Sequence, residues 1–255
     1  KRQVPLLVFE YFWFIGAAFF LYKKLPYKLF QVALIWLIFC KCILNGLAYP
    51  IHPTTWTILP AIMLAYFISK KNDNAAIICA LFLNFFKELF PVGTIGLSFY
   101  YGFQKKYKLA LILFIVSSAH LYFVMVLRPK IIGGSVDYSG NFYGDLLVQP
   151  LTYLANSFKS FDYIRFFKSF YPFIIPIAFI IKKEIKSLKE LTNHPITAMI
   201  CYLLPLFGLH FLPNLLMMHR ETTFGAYILS FIIFSRSFKD FTPVSYTHLT
   251  LPTTP

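Results

Sequence analysis

Four groups of residues in this 255-residue chain could do chemistry. Lys87-Glu88 places a carboxylate beside an ammonium. Both residues end an apolar segment, where Lys87 could snorkel to the interface and an ionised Glu88 would be costly at mid-membrane. Adjacent residues on a helix do not face each other, so each needs its own partner. His219-Arg220-Glu221 contains a guanidinium, the group best matched to bidentate recognition of phosphate or carboxylate. His219 and Glu221 are spaced i,i+2, which does not make a helical metal pair, so no metal site is expected there. His52-Pro53 pairs an imidazole with a proline suited to a first helical turn. Asp137 and Asp145 are acids in a Gly- and Tyr-rich stretch and could hold a hydroxyl-rich ligand.

Other polar residues carry less. Glu10 sits in an apolar run and needs a partner, expected upstream of Lys1. His120, beside Ser117 and Ser118, reads as a helix-packing hydrogen bond, and His210 is similar. Gly133-Gly134 lacks the Lys and Ser/Thr spacing of a phosphate loop. Cys40, Cys42, Cys79 and Cys201 lie in apolar surroundings without CxxC spacing, which argues against a metal site or a disulfide framework.

The elements that must position these residues are apolar. Hydrophobic residues make up 58% of the chain and charged residues 13%, against roughly 25% charged in soluble domains. Mean hydropathy is +0.65. Such a composition excludes disorder and leaves too little polar surface to cover one water-soluble globule. The expected fold is all-α, a polytopic transmembrane bundle. Apolar segments run over Leu6–Tyr22, Leu29–Ala48, Thr55–Ile68, Asn74–Phe86, Pro91–Phe103, Leu109–Leu127, Phe170–Ile181, Ile196–Leu212 and Thr223–Phe234. That is about nine segments, several shorter than the ~20 residues a span requires. Leu146–Phe158 suits an interfacial helix headed by Asp145.

The net charge of +14 is not that of a nucleic-acid binder, because the basic residues cluster between apolar runs. Lys23, Lys24 and Lys28 form one cluster, Lys70 and Lys71 a second, and Lys105, Lys106 and Lys108 a third. Lys182, Lys183, Lys186 and Lys189 follow, then Arg236 and Lys239. With about nine spans these connections share one side, and the positive-inside rule makes it cytoplasmic. The opposite side receives all four groups of candidate site residues. Residues 1–243 are expected to form one integral membrane domain. The chain opens on Lys1 rather than Met, and truncation is expected there. Val244–Pro255 (VSYTHLTLPTTP) resembles a translated sequencing adapter and is expected to be foreign to the fold.

Ile51-His52-Pro53, an apolar helix, the Lys70-Lys71 turn, Lys87-Glu88 and Gly93-Thr94-Ile95-Gly96-Leu97 occur in that order. Together with Tyr138–Gly144 and the His219 region, they resemble the predicted bacterial membrane family of unknown function numbered two thousand and seventy-nine. That family is grouped with the GT-C glycosyltransferases. The resemblance covers roughly residues 29–234. It implies an inner-membrane enzyme that moves a sugar from a polyprenyl-phosphate donor on the extracytoplasmic side. His52 and Glu88 would then orient the sugar or bind a divalent cation, and Arg220 or Lys87 would face the leaving phosphate. The catalytic acid of such enzymes lies in the first outer loop, here expected upstream of Lys1. Thr54, Leu89 and Arg220 depart from the family pattern, which has an acid, an acid and an aromatic residue at those places. A transporter or lipid flippase, and a non-catalytic membrane scaffold, are the other classes that fit this composition.

Overall fold

The computed structural model describes residues 4–39, 55–87, 90–132, 163–210 and 218–236, with a few positions between 149 and 159. The expected sites His52, Glu88, Asp137 and Asp145 lie outside the described residues, as do most of the expected interfacial helix over 146–158 and the tail from 244. The described chain is all-helical. In order come α1 (Val4–Lys24), α2 (Tyr27–Phe39), a 3-10 turn (Thr55–Thr57), α3 (Ile58–Ser69), α4 (Asp73–Leu83), α5 (Phe90–Phe103) and α6 (Tyr107–Tyr122). A π turn (Phe123–Leu127) joins α6 to α7 (Arg128–Ile132). Then come α8 (Tyr163–Glu184), α9 (Leu188–Asn193), α10 (Pro195–His210) and α11 (Met218–Ile233).

The core lies where α3, α5, α10 and α11 meet. Ala61, Leu64 and Ala65 of α3, Leu97 and Tyr101 of α5, Tyr202 and Leu206 of α10, and Tyr227 of α11 are all buried. Tyr202 and Tyr227 stack at 4.4 Å between ring centroids, and Tyr227 OH donates to Tyr202 Oη at 2.8 Å. A buried phenol needs such a partner, and here two phenols supply each other.

Gly93 and Gly96 decide how closely α5 and α10 approach. They are three residues apart and so share a face of α5. A Cβ at Gly93 would stand 2.7 Å from Leu206 Cδ1 and 2.8 Å from the Tyr202 ring. A Cβ at Gly96 would stand 2.0 Å from the backbone oxygen of Cys201. That oxygen is a special one. Pro205 lies inside α10, four residues on, and has no N–H to give it. The Gly96 hydrogen occupying the Cβ direction therefore points at a carbonyl that its own helix cannot satisfy. This is the geometry of a weak Cα–H···O contact between close-packed helices.

Among the described residues, one helix is long and apolar enough to cross a membrane. It is Tyr107–Leu127, 21 residues at mean hydropathy 2.3, with only 11% of its most apolar window buried. The other apolar helices, such as Thr55–Ser69 and Asp73–Leu83, are shorter. The described residues thus do not establish nine full spans. The shortening has a physical cause at particular turns. After Ser69, Lys71 N–H bonds Ile68 O at 3.0 Å and Asn72 N–H bonds Phe67 O at 2.9 Å. After Phe103, Lys105 N–H bonds Gly102 O at 2.9 Å and Lys106 N–H bonds Tyr101 O at 3.0 Å. Both are Schellman closures, which satisfy the last carbonyls and turn the chain back. Lys71 (φ 56°) and Lys105 (φ 62°) hold the left-handed position that glycine usually takes.

Two boundaries differ from expectation. Lys87 does not end a helix. The helix stops at Leu83, a turn covers residues 84–86, and the Lys87 carbonyl accepts the N–H of Phe90 at the start of α5. The last segment, expected from Thr223, is helical from Met218, so residues 219–221 lie in the first turn of α11.

Replacing Gly96 by alanine should lower stability by about 1–3 kcal/mol or more, because the clash is with backbone and no rotamer relieves it. A thermal melt of the detergent-solubilised variant checks this. A melting temperature equal to that of the parent would show that α10 is not packed against this face.

Candidate functional site

Helix direction sorts the polar residues into two ends. α3, α5 and α11 finish, and α4 and α6 begin, at the end that carries the Lys turns. Tyr66 marks that end: Lys24 Nζ lies 5.3 Å and Lys70 Nζ 6.0 Å from its ring centroid, and the Phe234 ring lies 5.2 Å away. The connections after α1, α3 and α11 therefore meet there. α4 leads away from this end to Lys87, and α11 starts away from it at residues 218–221.

At the end opposite the Lys turns, Glu10 is buried, and Thr55 donates its hydroxyl proton to Glu10 Oε1. The partner expected upstream of Lys1 is thus present within the described chain. The two are 45 residues apart, and nothing in local spacing announces the pair. Trp13 Nε1–H donates to the carbonyl of Trp56, and Phe9 meets the Trp56 ring edge-on at 5.2 Å. Trp56 Nε1 is buried without a hydrogen-bond partner. Deeper in the bundle, Thr94 Oγ1 donates to Asn84 Oδ1 at 2.7 Å, and Asn84 Nδ2 donates to Ser117 Oγ at 3.1 Å. This buried chain ties α4, α5 and α6 together. His120 meets the Phe85 ring edge to face at 5.2 Å, so the polar bond of this interface runs through Ser117 instead.

Of the residues expected to form a site, Lys87 is described and half-buried, and its side chain is engaged. For His219, Arg220 and Glu221 the structure describes the backbone turn alone. Convergence of His52, Glu88 and Arg220 is therefore not observed. Among the described residues, no cluster of His, Cys, Asp and Glu is arranged to hold a metal ion.

The Lys end contains a cavity of about 670 Å³ that sequence spacing does not reveal. Its wall comes from the α3–α4 turn, the α5–α6 turn, the α8–α9–α10 connection and the end of α11. The acids of that wall are internally committed. Asp73 and Lys106 pair at 2.6 Å, and the two side chains are 25% and 37% exposed. A pair so open to solvent contributes little to stability, about 0–1 kcal/mol. Glu184 and His194 pair at 2.8 Å and are far more enclosed, at 10% and 11% exposure. His194 Nδ1 accepts the N–H of Ile196 at 3.1 Å, so Nε2 carries the proton and donates it to Glu184. That pair joins the end of α8 to the start of α10. Glu190 accepts the backbone N–H of Lys186 at 2.7 Å, while Ser187 Oγ accepts the N–H of Glu190 at 3.2 Å. This is a variant of the capping box, formed by Ser187 and Glu190 around the start of α9. Gln104 Oε1 is buried without a partner on the cavity wall.

No family model, curated protein or solved structure matches the chain.

Removing the imidazole in His194→Ala should cost about 1–3 kcal/mol, since it takes a hydrogen-bond donor from a largely enclosed carboxylate. Glu184→Gln should cost less, because the amide oxygen still accepts from Nε2–H. Chemical denaturation of both variants checks the order. Equal losses would show that the pair is not the fastening between α8 and α10.

Proposed function

We propose that the chain is a multi-pass integral membrane protein with its Lys-rich end in the cytoplasm, and that it acts as a GT-C-like glycosyltransferase at the opposite face. The observation that carries the membrane reading is the exposure of the helix over Tyr107–Leu127. It lies in the middle of the chain, and Leu111, Phe114, Ile115 and Val116 all face outward. Exposing such side chains to water costs about 25 cal/mol per Å² of apolar surface, and lipid removes that cost. The clustering of basic turns at one end is what the positive-inside rule requires of a cytoplasmic face. The short helices fit a bundle in which non-spanning pieces pack within protein.

The glycosyltransferase reading rests on the ordered resemblance from Ile51 to Leu97 and on the placement of Lys87 and residues 219–221 away from the Lys end. A polyprenyl-phosphate sugar would present its phosphate to Arg220 or Lys87, with His52 and Glu88 near the sugar or a divalent cation. A transporter is the second reading, favoured by Glu10–Thr55 and the Asn84–Thr94–Ser117 chain, which set polar groups inside an apolar bundle.

Two measurements test these readings. In intact cells, a cysteine at Ser139 should react with a membrane-impermeant thiol reagent, and one at Lys105 should react only after permeabilisation. The reverse pattern would overturn the orientation. In membranes carrying the complete protein, Glu88→Gln and Arg220→Ala should each lower sugar transfer from a polyprenyl-phosphate donor by about a hundredfold. Unchanged transfer would remove these residues from the site. Gradient-dependent uptake with no covalent product would favour the transporter.

A further inference from the structure

We propose that His194 is a pH-dependent helix cap: protonation of its imidazole at Nδ1 releases the Ile196 N–H and loosens the first turn of α10 at the wall of the Lys-end cavity. Pro195 holds the first position of that helix, where a missing N–H costs nothing. His194 stands just before it with extended backbone, φ −79° and ψ 142°, as an N-cap residue does. Its side chain accepts the Ile196 N–H at 3.1 Å, and its carbonyl accepts the Thr197 N–H at 2.9 Å. One residue therefore satisfies both of the donors that follow Pro195 and that the helix itself cannot serve.

The same ring is tied on its other side, where Nε2–H donates to Glu184 Oε2 at 2.8 Å. With that proton on Nε2, Nδ1 keeps the lone pair that accepts from Ile196. A proton taken from solvent at Nδ1 fills the lone pair. The ring becomes an imidazolium, holds Glu184 as a charged pair through Nε2–H, and can no longer accept at Nδ1. Imidazole is the side chain that ordinarily changes charge between pH 5 and 8. A serine, threonine or asparagine cap at this place would not respond in that range.

Among the described residues, the charges that share the cavity with His194 come from several elements. α8 brings Glu184 and also Lys183, whose ammonium lies over the Phe179 ring. α9 brings Glu190, which accepts the Lys186 N–H. Lys71 lies in the α3–α4 turn, and Asp73 at the start of α4 is paired with Lys106. Arg236 follows α11, and Tyr100 of α5 donates its hydroxyl proton to Asn193 O at 3.4 Å. Glu184 is the carboxylate in contact with the ring, and it attracts the imidazolium. The lost cap and the positive end of α10 act against it. Protonation thus keeps the tie between α8 and α10 and gives up the cap. Asn193, His194 and Pro195 all line the cavity, so a loosened first turn changes its wall. The proposal does not depend on glycosyl transfer, which is assigned to the other end of the bundle.

The test is residue-resolved hydrogen–deuterium exchange on the full chain in nanodiscs, from about pH 8 to about pH 5, with the intrinsic pH dependence of exchange removed. The Ile196 amide should lose protection by roughly tenfold in a single step as the pH falls. The Asn72 amide, closed on Phe67 O by backbone alone, should show no such step. H194N accepts the same N–H through Oδ1 without titrating, so its Ile196 amide should stay protected across the range. E184Q removes the attracting charge and should move the step to lower pH. E190Q keeps an acceptor for the Lys186 N–H and should leave the step where it is. No step at Ile196 would overturn the proposal. So would a step that H194N retains, one that E190Q abolishes, one that E184Q moves to higher pH, or one that Asn72 shares equally.

Discussion

The close approach of α5 to α10 is the constraint on which the rest of the bundle depends. Gly96 has no room for a Cβ because the Cys201 carbonyl stands in its place. Pro205 leaves that carbonyl without its helical hydrogen bond, so one residue creates an unsatisfied acceptor and the other makes space for it to be approached. Gly93 then lets Tyr202 and Leu206 reach the same face, which brings Tyr202 to Tyr227 and α11 to the centre. The hydrophobic effect alone would not specify this register, since most surfaces in the chain are apolar. Steric fit and a few buried polar bonds select it.

The two ends of the bundle are built on different principles. At the Lys end, helices stop by backbone closure, and their C-terminal carbonyls draw positive charge. The acids there are few, and each is hydrogen-bonded or ion-paired within the wall of the cavity. At the other end, polar groups are buried in pairs: Glu10 with Thr55, Asn84 with Thr94 and Ser117. In an apolar setting each unmade hydrogen bond is expensive, so these pairs constrain where α1, α4, α5 and α6 sit. Function at that end would have to be added to a structure already fastened by its own polar groups.

How far the fold was legible in the sequence can be followed element by element. Pro91–Phe103 and Leu109–Leu127 were readable as helices from apolar runs punctuated by lysines, and α5, α6 and the π turn match them closely. The end of α4 was misread because Phe85 and Phe86 extend the apolar run past the turn that stops the helix at Leu83. The start of α11 at Met218, ahead of the apolar run from Thr223, was not legible because an apolar run leaves out polar residues that are at home in a first helical turn. The Glu10–Thr55 and Glu184–His194 pairs were invisible, because each joins residues of different elements with no local signal. The cavity was missed for a related reason: its lysines were read together as a topology signal, which says nothing about the concavity they line.

Composition, periodicity and lysine spacing determined by themselves that this chain makes apolar helices and where most of them turn, because those properties are local to short stretches. Tertiary structure decided which turns enclose a cavity, which acids already have partners, and which glycine a neighbouring helix requires. Those outcomes depend on contacts between residues far apart in the chain. Lys71 illustrates the division: its charge is plain in the sequence, but only the folded turn sets its left-handed backbone and places it on a wall shared with Arg236.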